Sequence, residues 1–145
     1  MSLVFNMTGG GKKVTDVVQV AVVAAVSTSS FVDPTAALAL CSSVGFFTKT
    51  DDVHYVCQKA GNYTIYLGAR SAYSSQGGSR YTCTARVYIN DSYGDREIAS
   101  PSDSSSFIST SYNVSLAVGD VVSLSAKNSS GNVIVNCYLA IYGPT

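Results

Sequence analysis

Apolar residues recur at every second position through much of the second half of this chain. In SYNVSLAVGDVVSLSAK, Val114, Leu116 and Val118 alternate with polar or small residues. Gly119-Asp120 interrupts the run, and Val122, Leu124 and Ala126 resume it. A period of two marks half-buried strands, and a Gly-Asp pair between two such runs marks a tight turn. The expectation is a pair of antiparallel strands joined as a hairpin. The same pattern places Tyr63, Ile65 and Leu67 on one face of a strand that follows Ala60-Gly61. Between Arg80 and Asn90 it sets Tyr81, Cys83, Ala85, Val87 and Ile89 against Thr82, Thr84, Arg86 and Tyr88. FFTKTDDVHYVC reads as two short strands around a polar turn. The last run, Val133 to Tyr142, is apolar almost throughout, as in a strand covered on both faces. Such a strand is either central in its sheet or covered by another subunit.

Upstream the pattern is looser. Val18, Val20 and Val22 alternate with Gln19 and Ala21, which suits a strand within residues 14–32. Asp33-Pro34-Thr35 has the form of a helix start, with Asp as cap and Pro at the first position. AALALCSSVG then fits a short helix closed by Gly45, and LALC fits a strand equally well. At the extreme start, TGGGKK has the composition of a flexible linker. The apolar Leu3, Val4, Phe5 and Met7 before it are the natural anchor, expected to insert into a neighbouring protein. The chain is thus expected to divide into an attachment arm, 1–30, and one folded domain, 31–145. Roughly eight to ten short strands with turns between them and no internal repeat imply an all-β, antiparallel sandwich or jelly roll.

Charge changes this picture. Only 12% of residues are charged and the formal net charge is zero, against about 25% charged in an ordinary soluble domain. Ser, Thr, Asn, Gly and Tyr fill the difference, as suits a chain that lives inside an assembly. The nine Lys and Arg are spread thinly, which argues against nucleic acid as a partner. VTDVVQVAVVAAV carries Asp16 and Gln19 and is too short to span a bilayer, so membrane insertion is not expected. The opening residues put the charges after the apolar stretch, the wrong order for a secretory signal. The four cysteines, at 41, 57, 83 and 137, form no CxxC pair, and free thiols packed as small hydrophobes are the expectation.

The chemistry-bearing residues do not assemble into a catalytic motif. His54 is the one histidine and Glu97 the one glutamate, and neither sits in a recognisable hydrolase or glycosidase pattern. GGGKK lacks the phosphate-loop spacing. Nothing calls for a metal or another cofactor. Tyrosine is the positive signal: ten Tyr and no Trp. Its apolar body and polar tip suit subunit seams and sugar platforms. Tyr73, Tyr93 and Tyr112, read as lying at strand ends or loops, are candidate ligand contacts. Asp91 and Asp95 join them from the turn-rich tip Asn90–Asp95.

Two stretches carry a resemblance. LVFNMTGGGKK resembles the N-terminal signature of small structural proteins of tailed phages and prophages. Gly61-Asn62-Tyr63, then Leu116 with Gly119-Asp120 and Val122, then Cys137 to Tyr142, resemble in order the jelly-roll heads of the tumour-necrosis-factor and complement families. That resemblance implies a homotrimer whose threefold seam is lined by aromatic and apolar strand residues. It further implies a virion protein, assembled in the bacterial host cytoplasm and joined to other virion proteins through its arm. The resemblance makes the chain a non-enzymatic module of the tail or baseplate that binds the host surface, with a cell-surface glycan as candidate ligand. The alternative is a capsid decoration protein that stabilises the head.

Overall fold

The computed structural model describes residues 18–26, 31, 35–41, 45–51, 53–73, 80–100, 107–128 and 135–144. The anchor residues Leu3, Val4, Phe5 and Met7 lie outside them. The described residues form twelve strands: β1 (Val18–Val26), β2 (Thr35–Cys41), β3 (Phe47–Asp51), β4 (His54–Cys57), β5 (Gly61–Arg70), β6 (Ala72–Tyr73), β7 (Arg80–Tyr81), β8 (Cys83–Ile89), β9 (Glu97–Ala99), β10 (Ile108–Leu116), β11 (Val121–Asn128) and β12 (Val135–Tyr142). They build two five-stranded sheets, ordered β10-β5-β12-β1-β2 and β3-β4-β11-β8-β9, with β6-β7 as a separate pair. The pairings within them are antiparallel.

The period of two turns one side of each sheet inward. Tyr63, Ile65, Leu67 and Ala69 of β5 and Cys137, Leu139 and Ile141 of β12 face Cys83, Ala85 and Val87 of β8 and Val122, Leu124 and Ala126 of β11. All of these side chains are buried in one cluster. Cys57, Cys83 and Cys137 are free thiols within it. Cys137 has its thiol pushed well above the ordinary range by its hydrogen bond to Cys83 and by burial. Tyr63 crosses the core edge-on to Phe47, with ring centroids 5.1 Å apart. Its hydroxyl donates to the Lys59 carbonyl at 2.6 Å. Burial and the Cys57 thiol push that phenol above its ordinary range.

Of the two readings open for AALALCSSVG, the strand is the one formed: Thr35–Cys41 pairs with β1 at the sheet edge, from Ala21↔Cys41 to Ala25↔Thr35. Seven residues are too few for a stable isolated helix, whereas a ready-made edge satisfies their backbone directly. Val18–Val26 lies between β12 and β2, inside the sheet, so the domain begins by Val18 and not at residue 31. Gly119-Asp120 joins no hairpin. β10 pairs with β5 in one sheet and β11 with β4 and β8 in the other, so this turn carries the chain across the sandwich. Gly119 has φ +96°, and Asp120 Oδ2 accepts from the Ala117 N–H at 2.9 Å. The Gly119 N–H and Asp120 carbonyl bond to Cys57, at 2.8 Å each.

The expectation for the last strand holds. β12 is central in its sheet, and its outward residues Tyr138 and Tyr142 are half-buried on the sheet's other face.

Candidate functional site

Each sheet turns its second face away from the core, and the two faces differ in chemistry. On the β3-β4-β11-β8-β9 sheet, cross-strand register sets the outward residues in rows. Asp51 pairs with His54, His54 with Ser123, and Ser123 with Tyr88. In the next row Ser125 pairs with Arg86, and Arg86 with Glu97. Ser123 between His54 and Tyr88, and Ser125 beside Arg86, leave a trough. The result is an open groove of about 720 Å³, lined by His54, Tyr88, Asn90, Asp91, Ser123 and Ser125, with Phe31 and Val121 at its margins.

The banks of the groove are braced. The Arg86 guanidinium lies 3.7 Å from the Phe31 ring centroid and 4.0 Å from that of Tyr93. Its Nε donates to Glu97 Oε1 at 2.6 Å. Lys127 Nζ sits 4.8 Å from the Phe31 centroid. Tyr88 meets Tyr93 edge-on at 5.6 Å. Burial alone would lower the Arg86 pKa; the bonds to Glu97 and Tyr88 and the Glu97 charge raise it instead. At the end of the groove Asn90 is fixed by two bonds. It donates to Asp120 Oδ1 at 3.2 Å and accepts from the Val121 N–H at 3.0 Å. Asn90 and Asp95 hold positive φ, 56° and 71°, the left-handed conformation that short polar side chains tolerate.

On the opposite bank Asp51 Oδ1 lies 2.8 Å from His54 Nδ1. Burial alone would raise the Asp51 pKa; bonds from the Val53 N–H and from His54, with the His54 charge, hold it below the ordinary carboxylate range. Asp51, His54 and Ser123 thus share a row and are the residue types of a nucleophilic triad. Ser123, however, is packed into the floor at 7% exposure. The adjoining Leu124 N–H is donated to the Val53 carbonyl at 3.1 Å, so it is not aimed at a developing oxyanion.

The outward face of the β10-β5-β12-β1-β2 sheet is aromatic. Small residues again sit between large ones: Tyr66 pairs with Ala140, and Ala140 with Ala21. Tyr66, Tyr138 and Tyr142 stand around an apolar hollow of about 250 Å³ floored by Ala21, Val23 and Ala140. Tyr66 meets Tyr142 edge-on at 5.2 Å, and Phe107 meets Tyr138 at 5.2 Å. Tyr138 lies directly over Gly68, where an added Cβ would fall 1.9 Å from its ring. Arg70 stacks on Phe107 at 4.6 Å and donates to Asn136 Oδ1 at 2.7 Å. Burial first, then the neighbouring Tyr66 and Tyr138, push the Tyr142 phenol up to about 12. Tyr66 is 39% exposed.

The expected ligand residues separate. Asp91 lines the groove and Tyr93 stacks behind its bank, while Asp95 is exposed on the tip beside them. Tyr112 does not join them. It lies in the middle of β10, not at a strand end, and packs against the core. Its hydroxyl reaches the Glu97 carbonyl at 3.4 Å. Tyr73 pairs with Arg80 through its backbone, and its side chain lies outside the described residues. Arg86 and Tyr88 were legible as one polar face of their strand. Phe31 and the serines of β11 carried no local signal, because their roles arise from residues on other strands.

Among solved structures, PRD1 vertex protein P5 is similar to this chain at a TM-score of 0.56 and 20% identity. The match covers 87% of this chain and 99% of that one. The globular domain of a zebrafish complement 1qA protein is similar at 0.50 and 16% identity, over 83% of this chain and 94% of that one. The fold is a jelly roll. No protein-family model and no curated protein sequence matches the chain.

Proposed function

We propose that this chain is a non-enzymatic structural protein of a virion: a homotrimeric jelly-roll module, held on the tail or baseplate through the residues before β1 and binding the host surface. One observation carries the reading. The tyrosine-ringed face lies on the central strands of a sheet, where an apolar outward surface gains most from being covered. Threefold association through Tyr66, Tyr138 and Tyr142 would bury it and leave the groove of the other sheet facing outward. The low charge of the chain, 12%, suits a protein surrounded by copies and neighbours.

The likeness to a vertex protein favours a second reading, in which the same module sits on the capsid and stabilises the head. Labelling this chain on purified particles separates the two. Few copies at the tail tip, with adsorption lost on removal, support the first. Many copies over the shell, with head stability lost, support the second. Particles that contain none of it would refute both.

A further inference from the structure

We propose that the groove between β4 and β8 binds a neutral sugar ring of a surface glycan, with Tyr88 as stacking platform and Asp91 as hydroxyl partner. This rests on the host-binding reading above and supplies its site and ligand class.

Three properties of the groove select the ligand. The first is charge. Among the described residues, the cations at its margin are already engaged, Arg86 by Glu97 and two aromatic rings and Lys127 by Phe31. The nearby carboxylates Asp51, Asp91 and Glu97 add negative potential, so a phosphate or sulfate group meets no open cation among the described residues. The second is polarity. His54, Asn90, Asp91, Ser123 and Ser125 make most of the lining, and a purely apolar ligand would desolvate them without return. What remains is a molecule with one apolar face and a rim of hydroxyls, which is the character of a pyranose ring. The third is rigidity. Tyr88 is held edge-on by Tyr93, and Asn90 is tied to Asp120 and Val121. Little side-chain freedom is therefore lost on binding. An open groove of about 720 Å³ has room for a short oligosaccharide rather than a single buried monosaccharide. The groove and the tyrosine face lie on opposite sides of the sandwich, so an oligomer would present several grooves at once. Weak single-site affinity would then be multiplied by avidity.

The test uses the full chain, with maltotriose, lactose and N,N′-diacetylchitobiose as neutral probes and a heparin disaccharide as the anionic control. Binding is read by saturation-transfer NMR and titration calorimetry, and the mass of the same sample by light scattering. At least one neutral probe should bind, the heparin disaccharide should not, and Tyr88→Leu should weaken binding by on the order of tenfold. Asp91→Asn, at an exposed position with no packing role, should weaken it without lowering the melting temperature. Competition by the same free sugar against intact cells tells a surface glycan from a soluble one. No binding of any neutral probe, preference for the anion, or binding unchanged in both variants would overturn the proposal. An intact oligomer without sugar affinity removes the groove alone. A monomer that binds sugar removes the assembly and keeps the groove.

Discussion

Gln19 shows at the residue scale how one polar side chain closes the fold. It is 3% exposed in a run of valines. Its Nε2 donates to the Gly143 carbonyl at 2.7 Å, and its Oε1 accepts from the Phe46 N–H at 3.4 Å. It thus ties the first strand to the chain's end and to the start of β3. Gln19→Leu would strand both backbone groups in the interior. We expect a loss of about 1–3 kcal/mol, measured as a shift of the urea midpoint. Gly68 is the counterpart on the aromatic face. Ala there would drive Tyr138 off its seat, so Gly68→Ala should cost about 1–3 kcal/mol and weaken self-association. Tyr142 adds a pH signature. Its folded pKa of about 12 stands above the usual 10.0, so the folded state holds the proton more tightly. Its contribution is complete below pH 10, falls as pH rises from 10 toward 12, and is gone above that range. Absorbance titration of tyrosinate should show late-ionising phenols, Tyr63 among them, and one fewer in Tyr142→Phe.

Strands were easier to read from the sequence than their partners. The alternation of Val114 to Ala126 located β10 and β11 correctly, yet it could not show that Gly119-Asp120 passes between sheets. Period two reports which face is buried and is silent on which neighbour supplies the hydrogen bonds. LALC stayed open for a related reason: a short run of Ala and Leu suits either state, and a tertiary contact, the edge of β1, decides. Gly61-Asn62-Tyr63 and the apolar last strand were legible because their inward residues are nearly unbroken. The groove was half legible. Arg86 and Tyr88 alternate visibly, whereas the trough depends on serines being small relative to neighbours that only the register reveals. The corner itself is testable. Gly119→Ala forces a side chain into positive φ and should cost about 1–3 kcal/mol. Asp120→Ala removes the acceptor of the Ala117 N–H and should cost about 1 kcal/mol. Gly119→Ala should leave the groove's ligand preference unchanged, whereas Asp120→Ala also releases Asn90 at the groove's end.

At the scale of the molecule, the sandwich has two opposite faces of different chemistry; on the reading proposed above, one would meet copies and the other a ligand, and residues 1–13 would supply attachment. Their deletion should leave the oligomer and its melting temperature unchanged and prevent incorporation into particles, checked by blotting purified virions. Light scattering on the purified chain decides whether it assembles through the tyrosine face. It should give the mass of a trimer for the native chain, and of a monomer for a Tyr66→Asp, Tyr142→Asp variant that retains its β-sheet circular dichroism. A native chain that is monomeric at micromolar concentration, or a variant that remains a trimer, would contradict that assembly.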